Sequence, residues 1–444
     1  MDGVGRGDLL AASLPARALL AAPVPTDRDP AAIEVVLEAA TVAAMDGDLR
    51  RGKLDTAGRY SSRLYHAQIA PPPHDPLRLP RVTPTTEARN LAMLALLMTL
   101  ESNGLNEACA MARVAQRHID GDREPAVQAT ASLLVRFLEA RCAQDPRAAY
   151  AAIDEATAAG VVPGVAERLR PRLERPVLPA EEVKTSPSAA EHQAVALAFA
   201  LMGDYRRGIL RYSAELMSLI GLMSRVISLA NLARLRWELG LDHEWRPFLV
   251  LANQLADAMA IPTPMTQKMK AAADKVDLDM RLAGEDDGSL ATRPGWRAAA
   301  AASLTDEHCA DLDIYAFTAL LAGDAALAMQ LAAAATQLSA DGTAWFEDRQ
   351  HRALAMACGL AASGGSSRQP EVVALLDEAL TTNDERARHE RAERAARAAR
   401  VAEHVGAIDW ATSATAQALE TFVALGNMAR PPILRERLAR LAAR

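Results

Sequence analysis

Arg391, Arg394, Arg397 and Arg400 recur at every third position along one stretch of this chain. On a helix, residues three apart are neighbours, so the four guanidiniums would form one oblique stripe. Such a stripe offers planar, forked donors to phosphate or carboxylate groups. Two readings follow: the stripe meets an anionic partner, or it is a solvated face answered by Glu390, Glu393 and Glu403.

Other chemistry-bearing patterns are weaker. His389-Glu390-Arg391-Ala392-Glu393 begins like a zinc-protease helix, but Glu393 stands where the second histidine belongs, so no metal site is expected. His308 and Cys309 are adjacent and would point to different sides of a helix, which does not suit a nucleophile and its base. The Gly3 to Gly7 run has no strand before it and does not read as a phosphate loop, and Glu285–Asp287 reads as a solvated acidic loop. Neither a catalytic residue nor a cofactor is expected from these motifs, and the chain is not read as an enzyme.

The elements that would hold these residues are helices. About a fifth of the chain is Ala and only 4% is aromatic, which favours close helix packing over sheet. No segment alternates with period two over a strand length. The formal charge of −7 argues against wholesale nucleic-acid or acidic-membrane binding. From Arg386 onward the charge is +5, and the preceding residues carry −12. An alternative use of the Arg-rich C-terminal helices, as a nucleic-acid surface, follows from that asymmetry. Four cysteines without metal or disulfide spacing, no signal peptide and no membrane-length apolar run point to a cytoplasmic setting.

Punctuation divides the chain. Residues 1–30 read as a poorly ordered extension, 31–178 as a first set of helical hairpins with a Pro-rich connector at 70–84, 179–187 as a linker, and 188–444 as a second set. One phrase recurs at the turns: Gly203-Asp204-Tyr205, Gly47-Asp48-Leu49 and Gly323-Asp324-Ala325, with Gly240 and Gly406 at similar places. About seven hairpins are counted.

Gly203, Asp204, Tyr205, Ile209 and Tyr212, then Gly323, Asp324, Ala328, Met329 and Ala335, then Gly406, Ala411 and Ala418, resemble the turn and second helix of tetratricopeptide repeats. Gly208 departs from that pattern, where the family prefers Ala. The last stretch, Ala396 to Gly426, is similar to the closing repeats of the helical sensor region of LuxR-type and MalT-like regulators. The nucleotide-binding loop and DNA-binding domain of those regulators have no counterpart here.

The resemblance implies an all-α, tetratricopeptide-like solenoid, divisible into two stacks, that binds a protein or peptide along its concave face in an adaptor or regulatory role. The family's groove positions fall on Gln193 and Leu197, Arg234 and Trp237, Asp313 and Phe317, and Arg400 and Glu403. The competing expectation is an α-helical enzyme with a site that local spacing does not reveal.

Overall fold

The structure, a computed structural model, describes residues 9–22, 104–119, 125–158, 169–173, 187–216, 221–241, 245–258, 264–283, 296–304, 312–338, 346–381 and 387–444, with a few single positions between 36 and 95. The Gly47-Asp48 phrase, the 70–84 connector, Gly3–Gly7, Glu285–Asp287 and His308-Cys309 lie outside the described residues, as does all of the 179–187 linker except Pro187. Among the described residues every regular element is helical, with no strand. None of those helices is long and apolar enough to cross a membrane.

Two compact units are present. The first gathers Met1–Gln193, Ile209–Leu229 and Val250–Lys270; the second gathers Ala194–Gly208, Ala230–Leu249 and Ala271–Arg444. The described helices are α1 (Leu9–Ala21), α2 (Leu105–Ile119), α3 (Pro125–Cys142), α4 (Pro146–Ala158), α5 (Pro187–Met202), α6 (Tyr205–Leu216), α7 (Leu222–Glu238), α8 (Arg246–Asp257) and α9 (Pro264–Ala283). They continue with α10 (Trp296–Ser303), α11 (Leu312–Leu321), α12 (Ala325–Leu338), α13 (Phe346–Gly364), α14 (Gln369–Leu380), α15 (Arg388–His404), α16 (Ile408–Ala424) and α17 (Arg430–Ala442). Residues 9–21, inside the segment read as a poorly ordered extension, form the first of these helices.

The first unit pairs α2 with α3 and α3 with α4. Ala108, Met111, Leu134, Phe137, Leu138 and Ile153 are buried there. Pro146 opens α4 at a position where its missing N–H costs nothing, and the Asp145 carboxylate accepts from the Ala148 amide at 3.1 Å.

In the second unit, α11 packs on α12, α13 on α14, and α15 on α16. The first helices of these hairpins also meet one another, α11 with α13 and α13 with α15. Small residues allow that approach: Ala316, Ala319, Ala353, Ala357, Ala398 and Ala402 are all buried in one core.

One turn geometry recurs five times among the described residues of this unit. Gly203, Gly240, Gly323, Gly406 and Gly426 have φ of 83°, 71°, 70°, 81° and 68°. In each turn the glycine amide reaches back three residues and the next amide reaches back five, as in Gly323 to Leu320 (3.1 Å) and Asp324 to Ala319 (2.9 Å). This is the Schellman ending, which needs a left-handed residue and so selects Gly. Asp204 and Asp324 then cap the following helices, each accepting a main-chain N–H at 3.3 Å. Asn427, two residues before the N-cap of α17, accepts from the Arg430 amide at 2.9 Å.

Candidate functional site: a buried arginine and carboxylate cluster beside a cleft

The chemistry of the second unit converges on α15. Glu393, at its middle, is buried, and burial alone would raise its carboxyl; Arg234, His389 and Arg430 together hold it well below the usual range. Arg234 Nη2 lies 2.7 Å from Glu393 Oε1, His389 Nε2 lies 3.3 Å away, and Arg430 Nη2 donates to the same oxygen. Arg397 adds a longer approach of 3.6 Å to Oε2.

Arg430, from the first turn of α17, links this carboxylate to a second. Its Nη2 lies 3.2 Å from Glu238 Oε1, while the guanidinium sits 4.8 Å from the Trp237 ring centroid and 5.6 Å from that of Phe422. Glu238 is completely buried and also accepts from Asn427 Nδ2, which donates in turn to the Tyr205 hydroxyl at 3.0 Å. Tyr205 meets His389 Nδ1 at 2.9 Å; burial and the nearby Glu238 push its hydroxyl above the ordinary value.

A second branch runs through α11 and α13. Asp313 is fully buried, yet Arg397 at 2.9 Å and His351 Nδ1 at 3.1 Å draw its carboxyl down to about 2. Burial would lower His351; Asp313 and Glu390 instead raise it to about 9, and its other nitrogen lies 2.8 Å from Glu390 Oε1. Arg394 closes this branch, reaching Glu390 at 3.0 Å and donating to Gln350 Oε1.

A cleft opens beside these branches. Arg397, Arg400, Arg430 and Arg437 line it, facing Asp279 and Glu393. Phe317, Phe422 and Leu434 supply apolar walls. Its cavity is small, about 30 Å³. The guanidiniums are fixed by other contacts: Arg400 donates to the Leu282 carbonyl at 2.9 Å and lies 5.3 Å from the Phe317 ring centroid, and Arg437 pairs with Glu403. Burial raises the Asp279 carboxyl, whereas the surrounding cations hold that of Glu393 down.

The expected residues are redistributed by this arrangement. Arg394, Arg397 and Arg400 are not a solvated stripe: their carboxylate, amide and carbonyl partners come from α9, α11, α13 and α15 itself, and Arg394 and Arg400 are buried. Arg391 is half-buried and joins none of these contacts. Asp313 and Phe317 are fully buried instead of lining an open groove, because α13 and α15 cover them. Arg234 and Trp237 do share a side of α7, but Glu393 and Arg430 of the same unit already occupy it. Gln193 is half-buried in the first unit, apart from this cluster, while Leu197 is 49% exposed.

Glu238, Asp279, His351, Asn427, Arg430 and Arg437 were not singled out by sequence reasoning. Their partners lie far along the chain, as with Glu238 and Arg430, 192 positions apart. Only the cap-and-proline phrase Asn427 to Pro432 signals locally that Arg430 opens a helix.

Glu238, His389 and Glu393 place ligand atoms within 4.8 Å of one another, which is metal-ligand spacing. Arg234 and Arg430 already engage those carboxylates, so a dication there would enter between two guanidiniums. The trio is therefore the hub of the ion-pair network. Comparison of the chain with protein-family models, with curated proteins and with solved structures gives no match.

Proposed function

We propose that this chain is a binding and regulatory module on a tetratricopeptide-like solenoid of about seven hairpins, recognising an anionic group of its partner through the cleft of the second unit. The observation that carries this reading is a cleft lined by Arg397, Arg400, Arg430 and Arg437 together with Ala283, Ala396 and Leu434. Cations already held in place lose little freedom when an anion arrives, so more of the contact energy goes into affinity. Side-by-side packing of α11, α13 and α15, with a turn repeated in one geometry, supports the repeat scaffold.

The partner fitting the adaptor role is a protein segment with acidic and apolar side chains. Its acids would meet Arg400 and Arg437, and its apolar side chains Ala283, Ala396 and Leu434. The test is titration of the full chain with a labelled peptide of alternating Glu and Phe, against the same peptide with Gln for Glu. The acidic peptide is expected to bind at least about tenfold tighter, a difference of about 1.4 kcal/mol, and to weaken as salt rises. Equal binding of the two peptides, or none by either, would remove this reading.

A further inference from the structure

We propose that Cys109 and Cys142 form a reversible oxidation site, a dithiol that a peroxide converts to a disulfide fastening α2 to α3. The inference is independent of the anion-binding reading above, because both residues lie in the first unit. The two thiols are 33 positions apart, and no cysteine motif joins them; the fold does. α2 and α3 pack against each other, and one turn from the cysteines Arg113 Nε meets Glu139 Oε1 at 2.8 Å. Cys109 lies four residues before Arg113 and Cys142 three after Glu139, so the register of that ion pair sets the cysteines opposite each other on the same seam. There the Cys109 thiol donates a hydrogen bond to the Cys142 sulfur.

The two sulfurs are not equivalent. Cys109 is fully buried, whereas Cys142, the last residue of α3, is half-buried at a helix end. The hydrogen bond from Cys109 draws the Cys142 thiol down to about 7 against burial and Glu139, with Arg113 and Arg141 adding to the effect. The same hydrogen bond, together with burial, pushes the Cys109 thiol up. A thiolate is the attacking form, so Cys142 is the nucleophile and Cys109 the thiol that resolves the product. Cys358, on α13, is the contrast: it is fully buried, and burial pushes its thiol up.

The oxidation runs in two steps. The Cys142 thiolate attacks one oxygen of hydrogen peroxide; the O–O bond breaks, hydroxide leaves, and Cys142 becomes a sulfenic acid. The Cys109 sulfur then attacks the Cys142 sulfur; the S–O bond breaks, and the hydroxyl leaves as water with the Cys109 proton. Two thiols have lost two electrons and two protons, and one peroxide has become two waters. A dithiol reductant reverses the change by exchange.

The experiment treats the full reduced chain with an equimolar amount of hydrogen peroxide, alkylates it in urea with N-ethylmaleimide, digests it with trypsin and identifies the peptides by mass spectrometry. The expected product is a disulfide joining peptides 90–113 and 142–147, in a chain that stays monomeric on a non-reducing gel, with Cys358 recovered alkylated. Dithiothreitol should abolish it. Before oxidation, iodoacetamide at pH 7.5 should label Cys142 at least about tenfold faster than Cys109 or Cys358. Cys109→Ser should stop the reaction at a Cys142 sulfenic acid that dimedone traps. If Cys109→Ser fails to fold, Cys142→Ser carries the test, and its Cys109 should stay reduced at the same peroxide dose. Recovery of both thiols reduced from the wild-type chain overturns the inference, as does a Cys142 oxidised without linkage to Cys109. Oxidation of Cys109 in Cys142→Ser as fast as in the wild type overturns the assignment of Cys142 as the nucleophile.

Discussion

Two buried glutamates, one in each unit, behave oppositely. Glu215, on α6 in the first unit, accepts from the Ser228 hydroxyl, and its Oε1 has no hydrogen-bond partner; burial pushes its carboxyl up to about 7. Glu393, in the second unit, is as deeply placed, but three cationic or polar groups converge on it and its carboxyl falls well below the usual range. Burial sets the sign of a carboxylate's shift only until charged partners arrive. The first unit has settled a buried acid with a hydroxyl and one guanidinium, Arg225, whose pull burial outweighs, and the second with a network of guanidiniums.

The largest effect expected from this contrast is the loss of Glu393. Glu393→Gln leaves Arg234 and Arg430 facing each other without their shared carboxylate, which should cost about 3–5 kcal/mol of stability in urea unfolding at pH 7.5. A cost under about 1 kcal/mol would mean that the network rearranges freely, and the contrast would fail.

Glu215→Gln should go the other way. The folded carboxyl at about 7 lies above its ordinary 4.5, so between those pH values the unfolded chain releases the proton and the folded unit keeps it. Its contribution therefore falls as pH rises through that window and stays low above it, a change on the order of 3 kcal/mol. Stability profiles of wild type and variant should converge near pH 4.5 and separate by pH 8, the variant being the more stable. Parallel profiles would show that Glu215 is not held protonated.

The smallest expected effect separates two turns that share one geometry. A Cβ at Gly323 meets nothing within 4 Å, so Gly323→Ala carries only the strain of a positive φ, about 1 kcal/mol. At Gly203 the same atom would lie 2.7 Å from the Leu425 side chain, so Gly203→Ala should cost more. Equal melting temperatures for the two variants would mean that Leu425 moves aside without cost.

The hairpin rhythm was legible because its signals are local. Gly followed by Asp at 203 and 323 specifies a left-handed turn and a cap within two residues, and the structure has both. The direction in which α15 turns its arginines was not legible. A three-residue spacing states that Arg394, Arg397 and Arg400 share a face, but whether that face meets water depends on acids such as Asp313, 84 positions away from Arg397. One clue was present. Ala392, Ala395, Ala398, Ala399 and Ala402 interleave with the arginines, and their burial leaves little of α15 for solvent.

The place of Asn427 and Arg430 has a consequence for how the protein is made. Tyr205 and Glu238 leave the ribosome long before the groups that satisfy them, Asn427 following Tyr205 by 222 positions and Arg430 following Glu238 by 192. At about 5–20 residues per second that delay is roughly 10–45 s. Over that interval a glutamate destined for complete burial has no arginine from α17, so its part of the nascent chain must keep it in water. The second unit can close only after translation has passed α17, and until then the nascent chain is open to chaperones and proteases.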